Sequence, residues 1–523
     1  MTKFISADEA VSLIRDGSNL GIGGFATFGA ADAILRAIRR RYDLEGTPAG
    51  LTVVSPACPG DGKGNTWGMS AFGQDSKIVD RVITSHVGQV PYLVRELAAN
   101  HIAAWLLPLG VFTQLFHAAA AGRPGVLTHV GKYTFVDPRV EGGKANQRAI
   151  DDGRDLVEVV ELGGKDYLFY HTLPMDACII RASYADTDGN LSFEREAIPA
   201  EQAEMAAACH AGGGIVIAQV EKVVQKGSLH PRNVWVPSKL VDYVVVSAEG
   251  EHPHTYEVPD FRAELCGDVK IPVEAVPPME MSIRKAVARR GALELKKGSL
   301  ANLGLGISDG ISKVAAEEGF SDQIALTIET GIFGGVPLSG LSLGAGVNSD
   351  ALLRTSDVFD LYDGGVLDMA FLSGAEIDQY GNVNVTKFGG RVVGPGGFIN
   401  ISQNTPKMCF LGTFTAGNQQ IRAEDGRLVI EQDGPIVKFK QDVEQISFSG
   451  RYAVESGQEV LFITERAVFR LTPDGLMLTE MAPGVDLEQH ILAKMDFKPL
   501  ISPDLKLMDE RIFRDGLMGL RLD

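Results

Sequence analysis

Cysteine is scarce in this chain. Its five cysteines among 523 residues, Cys58, Cys178, Cys209, Cys266 and Cys409, stand far apart and never at C-x-x-C spacing. That pattern excludes a disulfide framework and a cysteine-built zinc site. Long apolar runs are missing as well: no uninterrupted stretch reaches the ~18–20 residues of a membrane span. The opening run MTKFISADEAVSLIRDG lacks the basic-then-apolar layout of a signal peptide. Positive charge is in deficit, with 49 Lys and Arg against 67 Asp and Glu and a net charge of −18, so no nucleic-acid surface is expected. The ten histidines never cluster at ligand spacing, which leaves a metal site without support. His86, His117 and His129 read as satisfied surface or core residues. The expectation is a cytoplasmic protein of a reducing compartment, with no metal, membrane or nucleic-acid partner.

Glycine, by contrast, is abundant: 60 residues without a period, read as turn and close-approach positions. A chain 45% hydrophobic and 22% charged is neither disordered nor a coiled coil. Two strings recur in one order. Asn19-Leu20-Gly21-Ile22-Gly23 sits between an amphipathic segment and a predicted helix Ala31 to Arg41. Asn302-Leu303-Gly304-Leu305-Gly306 sits between predicted helices over 286–297 and 310–318. Asp188-Gly189-Asn190 then finds its counterpart in Tyr380-Gly381-Asn382. Two matched pairs imply two related halves. The polar segment 251–281, with Pro253, Pro259, Pro272, Pro277 and Pro278, reads as a linker between a domain over 1–250 and another over 282–523. Short β-branched runs (50–55, 214–220, 240–247, 324–328 and 409–413) alternate with helical stretches. The expected fold class is therefore α/β: two related open domains with mostly parallel sheets, and ligands beyond the carboxyl ends of the strands, at the domain interface.

Several signatures fail. Gly21-Ile22-Gly23-Gly24 and Gly304-Leu305-Gly306 lack the third glycine of a dinucleotide fingerprint, and Gly60-Asp61-Gly62-Lys63-Gly64 is not a P-loop. Gly340-Leu341-Ser342-Leu343-Gly344 matches G-x-S-x-G in letters. Gly334, Gly335 and Pro337 interrupt the strand that a nucleophile elbow requires, and only His490 follows, so it reads as a glycine-rich loop. The basic groups at Arg39-Arg40-Arg41, Arg289-Arg290 and Lys296-Lys297 receive no role. What stands out is the buried run Ala325-Leu326-Thr327-Ile328 ending in Glu329-Thr330-Gly331. Two readings are open: a solvated strand-end residue, or a carboxylate cleared by glycine for nucleophilic attack. Gly394-Pro395-Gly396-Gly397-Phe398 likewise reads as an oxyanion or cofactor loop, or as a tight turn before a strand Ile399-Asn400-Ile401.

At these residues the chain resembles a family I coenzyme A transferase of the fused single-chain acetate or propionate type. The likeness runs from Phe135-Val136-Asp137-Pro138-Arg139 through Glu329-Thr330-Gly331 and Gly396-Gly397-Phe398-Ile399 to Ala482-Pro483-Gly484-Val485-Asp486-Leu487. The resemblance implies a ping-pong exchange between acyl-CoA and short-chain carboxylic acids. Glu329 is the nucleophile, passing through an acyl anhydride to a glutamyl-CoA thioester. It implies oxyanion donors at the Gly396 and Gly397 N–H groups, and CoA contacts at Asn382, Lys387, Gly394, Gly304 and Gly306. No cofactor is implied beyond CoA and acyl-CoA as substrates, and a homo-oligomer such as a tetramer is expected. Hydrolysis of acyl-CoA by the same glutamate, or non-catalytic sensing of CoA esters, are the alternatives. Three departures stand out. Pro108-Leu109-Gly110 replaces the P-Q-G of many relatives, whose glutamine amide reaches the reaction centre, leaving Gln114 or another donor to substitute. Thr330 replaces Asn, and Ser308 replaces Pro.

Overall fold

The computed structural model describes residues 2–64, 66–272, 279–304, 306–338 and 340–522. Two sheets organise the chain, one from residues before 250 and one from residues after 299. The first has eight parallel strands: β1 (Lys3–Phe4), β2 (Asn19–Ile22), β3 (Leu51–Ser55), β4 (Val79–Thr84), β5 (Ala103–Leu106), β6 (Ala177–Asp186), β7 (Ile215–Val224) and β8 (Tyr243–Val246). Their spatial order is β1-β8-β7-β6-β2-β3-β4-β5, with two short strands attached beside β6. The second comprises β9 (Leu300–Leu303), β10 (Ala325–Ile328), β11 (Ile332–Phe333), β12 (Ala351–Leu352), β13 (Met369–Leu372), β14 (Lys407–Leu411), β15 (Glu459–Ile463), β16 (Ala467–Thr472), β17 (Gly475–Met481) and β18 (Leu500–Leu507). Their order is β12-β11-β10-β9-β13-β14-β15-β16-β17-β18. The central strands β10 to β15 of that order run parallel, antiparallel pairs follow on both flanks, and the edge strand β18 lies parallel to β17. Continuous apolar runs such as Cys178-Ile179-Ile180 and Met408-Cys409-Phe410 are buried because helices cover both faces of the parallel region.

The repeat is visible atom by atom. In the first half β2 lies between β6 and β3; in the second β9 lies between β13 and β10. Gly23 N–H donates to the Ile179 carbonyl at 3.0 Å, and Gly304 N–H to the Phe371 carbonyl at 2.8 Å. Gly23 is thus the partner of Gly304, so the matching strings lie on equivalent strands but slipped by two residues. Leu305 lies outside the described residues.

The halves share one apolar core, in which Phe25, Phe28 and Leu109 meet Val358, Phe359 and Phe398. The predicted linker is described over 251–272 and 279–281; residues 273–278 lie outside the described residues. Its first part is pinned at both ends: the Tyr256 hydroxyl donates to Asp32 at 2.9 Å and Ile271 N–H to Asn348 Oδ1 at 2.8 Å.

Several boundaries differ from expectation. The helix predicted from Ala31 runs Asp32–Glu45, and the one over 286–297 runs Ile283–Ala292, whereas Gly310–Glu318 is helical as expected. The strand over 240–247 shrinks to β8, because Ser238–Leu240 form a 3-10 turn. Ile399-Asn400-Ile401 is not a strand. It lies inside helix α1 (Phe398–Asn404), where Asn400 and Asn404, one turn apart, both donate to Asp363.

Candidate active site

Strand β10 delivers Glu329 at its carboxyl end. Immediately afterwards the chain reverses into β11, and the reversal requires glycine. Gly331 has φ +124°, and a methyl group there would stand 2.1 Å from the Leu353 carbonyl oxygen. The Thr330 hydroxyl donates to the Gly344 carbonyl at 2.5 Å, so this residue braces the turn instead of facing substrate. Ser308 is buried with its hydroxyl unbonded among the described residues.

Glu329 opens onto a cavity of about 410 Å³ at the carboxyl ends of β9, β10 and β13. The wall is largely apolar: Phe25, Leu343, Leu372, Phe388, Phe398 and Ile401 contribute to it, and Glu329 is its one charged residue among those described. Burial, with no cation beside it among the described residues, raises the carboxyl above the ordinary glutamate range. Such a group, once ionised, is a poorly solvated nucleophile facing a largely apolar space.

Both halves build this wall. The loop 85–89 comes from the first half and the loop 393–397 from the second. Val87 N–H donates to the Val393 carbonyl at 2.8 Å, Gly396 N–H to the Ser85 carbonyl at 3.1 Å, and Leu109 N–H to the Gly396 carbonyl at 3.0 Å. This seam revises the expected donors. Gly396 N–H is occupied by Ser85, and Gly394 N–H by the Thr386 carbonyl at 3.3 Å, so neither is free for an oxyanion. Gly397 N–H has no backbone acceptor among the described residues. A methyl on Gly397 would lie 3.4 Å from Glu329 Cγ, which places this residue beside the glutamate side chain.

Glu329, Gly304, Gly394, Gly396 and Gly397 therefore share one cavity. Gly306 stands just outside the lining, near Ser373. Asn382 and Lys387 do not join them. The Asn382 amide donates to Asp378 at 2.9 Å and accepts from Gly450 N–H at 2.9 Å, which closes a loop. The same loop recurs in the first half, where Asn190 donates to Asp186 at 2.9 Å. Lys387 and Phe388 form one short strand, and side chains alternate along a strand. Phe388 faces the cavity, while the Lys387 charge bears on Glu141.

The structure also brings in residues that sequence reasoning passed over. His86 lines the cavity instead of resting in the core or on the surface. Its Nδ1 accepts from Gly88 N–H at 3.3 Å, which leaves the hydrogen on Nε2, and burial lowers its pKa to about 4. His117 is exposed, and His129 is bonded to Asn404 at 2.6 Å, as expected of satisfied residues. Gln89 lines the same cavity, and its side-chain amide has no hydrogen-bond partner among the described residues. Asn302 is fully buried at the wall. Its amide nitrogen donates to the Thr327 carbonyl and to the Tyr362 hydroxyl, both at 3.2 Å, while its Oδ1 has no partner among the described residues. Gln114 is not a substitute donor: its amide goes to Asp360 and Asp363, away from Glu329. Leu109 is fully buried in the shared core. Ser342, the centre of the G-x-S-x-G string, sits in a 3-10 turn with its hydroxyl on Glu257 and no histidine in contact, so the elbow is absent.

Among the described residues no group of three His, Cys, Asp or Glu side chains is placed to hold a metal ion, and no helix is long and apolar enough to cross a membrane.

The sequence profile for coenzyme A transferases matches residues 4–247. Acetate CoA-transferase YdiF of Escherichia coli strain K12 is 43% identical over 521 residues, covering 99% of this chain and 96% of that protein. Caffeate CoA-transferase of Acetobacterium woodii is 41% identical over 525 residues, with 99% of each chain covered. Among solved structures, the YdiF acyl-CoA transferase of E. coli O157:H7, in a thioester complex with CoA, superposes with a TM-score of 0.92 at 42% identity, covering 100% of this chain and 98% of that one.

Proposed function

The chain belongs to the coenzyme A transferase family, and from that premise we propose that Glu329 is the covalent carrier in CoA exchange between short-chain acyl-CoA and free carboxylic acids. The observation that carries this reading is a single carboxylate, with no cation beside it among the described residues, opening on an apolar cavity at the seam between the halves. A Glu329 Oε attacks the thioester carbonyl, the carbon–sulfur bond breaks, and CoA leaves as thiolate, so that a mixed anhydride of Glu329 and the acyl group remains. The thiolate then attacks Glu329 Cδ, the anhydride carbon–oxygen bond breaks, and the acyl group departs as a carboxylate, leaving glutamyl-CoA. A second acid runs both steps in reverse. One thioester is exchanged for another, so the cycle balances with acyl-CoA and acid alone, and neither cofactor nor metal is part of this reading.

Negative charge develops on the carbonyl oxygen at each attack. Gly397, beside the Glu329 side chain and with no backbone acceptor for its N–H among the described residues, supplies the backbone donor we assign to it. We further assign Gln89 as the side-chain donor from the first half, in place of the glutamine that Leu109 lacks. The neutral His86, with hydrogen on Nε2, adds a third polar group without a competing charge. Acetate and propionate are the first acids to try, since named relatives include an acetate enzyme. Five free thiols, four of them buried, fit a reducing cytoplasm, and we read the working form as a homo-oligomer on the family resemblance.

The test is intact mass after incubation with acetyl-CoA and no acceptor acid. The expected result is an adduct of CoA on the protein that is lost in Glu329→Ala. Release of acetate with no adduct would mean hydrolysis, and binding with neither would mean sensing; either outcome overturns the assignment.

A further inference from the structure

We propose that Lys438 receives the phosphate end of coenzyme A, a contact that deepens the CoA-transfer reading and rests on it. The argument starts from the carboxyl edge of the second sheet, where β10, β9, β13 and β14 lie side by side. Glu329 follows β10. Asn302 on β9 lines the cavity and its buried Oδ1 has no partner among the described residues, and Gly374, just past β13, lines the same cavity. Gly412 follows β14, and over it stands Lys438. A methyl on Gly412 would lie 2.8 Å from Lys438 Nζ and 4.0 Å from the Gly374 carbonyl oxygen. The ammonium is thus one residue behind the cavity wall.

Lys438 is only 9% exposed and makes no side-chain hydrogen bond or ion pair among the described residues. Glu465 bears on it electrostatically, but that carboxylate is already held by Arg466 and the Phe414 N–H, both at 2.8 Å. Burial lowers the lysine pKa to about 8. A buried ammonium without an anion is unfavourable, and a ligand that brings one relieves it.

The spacing suits CoA. Neighbouring strands lie about 4.8 Å apart, so three steps from β10 to β14 span roughly 14 Å. From the CoA sulfur to its first phosphate oxygen is about a dozen chain bonds, the length of about four extended residues, again roughly 14 Å. With sulfur on Glu329 Cδ, the two amides of the pantetheine arm pass Asn302 and Gly374, and the phosphates arrive at Lys438.

The experiment compares acetyl-CoA with acetyl-pantetheine, the same thioester without phosphates, as donors to propionate. For Lys438→Gln we expect KM for acetyl-CoA to rise at least tenfold with kcat changed less, and a far smaller factor with acetyl-pantetheine. Lys438→Arg should recover most of the loss. Equal factors for the two donors, or no change with either, would overturn the proposal. Lys438→Met, which replaces the buried charge by an apolar chain of similar length, guards against a folding artefact of the amide variant. If the wild type transfers to no acid, the functional reading falls instead. Calorimetric titration with CoA and with pantetheine then still decides the matter for Lys438: tighter binding of CoA that the Lys438→Gln protein loses supports it, and equal binding refutes it.

Discussion

Gly394 is packed so tightly on Ser85 that a methyl group on the glycine would stand 2.1 Å from the serine carbonyl oxygen, across the boundary between the two halves. Its φ of +94° adds a conformation that L-residues avoid. Gly394→Ala should therefore lower the thermal midpoint and reduce kcat/KM at least 100-fold, since the seam carries Gly397 and His86. The strain alone is worth about 1–3 kcal/mol. Gly306→Ala, which shares a positive φ (+91°) but whose nearest neighbour would be 3.6 Å away, isolates the packing and should retain more activity. Similar losses in both variants would show that close packing on Ser85 is not what matters.

Attack requires the ionised form of Glu329, and burial raises its pKa. Activity should accordingly fall as pH drops through that raised value, placing the acid limb of kcat/KM above the ordinary glutamate range. The profile of the wild type with acetyl-CoA and propionate checks this. A limb at or below pH 4.5 would contradict it.

If Gln89 donates to the developing oxyanion, Gln89→Leu should lower kcat by about 100-fold. KM for acetyl-CoA should change only a few-fold, because the bond strengthens during reaction. An unchanged kcat would remove Gln89 from the mechanism and leave Gly397 as the assigned donor.

Glu201 offers a test of stability unrelated to the reaction. It is buried, its Oε1 has no partner among the described residues, and its pKa is pushed from 4.5 up to about 8. The fold holds this proton more tightly than the unfolded chain does. The resulting penalty is absent below pH 4.5, grows between pH 4.5 and 8, and is constant above. Glu201→Gln should match the wild type in thermal midpoint at low pH and exceed it at pH 8. A constant difference across that range would refute the shift.

Much of the architecture is local and was readable. Buried strands are continuous apolar runs, and the glycines that follow Ile22, Ile328 and Leu372 mark where the chain turns at the sheet edge. Glu329 stood out because it ends such a run beside obligatory glycine. The failures share a different cause. Whether the Gly396 N–H is free depends on Ser85, a residue of the other half. Whether Lys387 or Phe388 faces the cavity depends on strand parity, which two residues cannot reveal. Ile399 and Ile401 favour a strand, but Asp363 collects Asn400 and Asn404 and wins them for a helix. Gln89 and Asn302 carry no local signal at all; only the folded wall distinguishes them.

Asn382 and Asn190 close twin loops, so removing either amide should cost similar stability, about 1–3 kcal/mol. Thermal midpoints of Asn382→Ala and Asn190→Ala test this, with KM for acetyl-CoA expected to stay level in Asn382→Ala. A selective rise in KM would restore Asn382 as a CoA contact.

Those twin loops do more than hold two turns. In a duplicated chain each copy is an internal control for the other: a side chain whose bonding recurs in both copies answers to architecture, and falls out of the set of reactive groups before a single variant is made. What survives that subtraction, Glu329 foremost, is where the two copies parted ways.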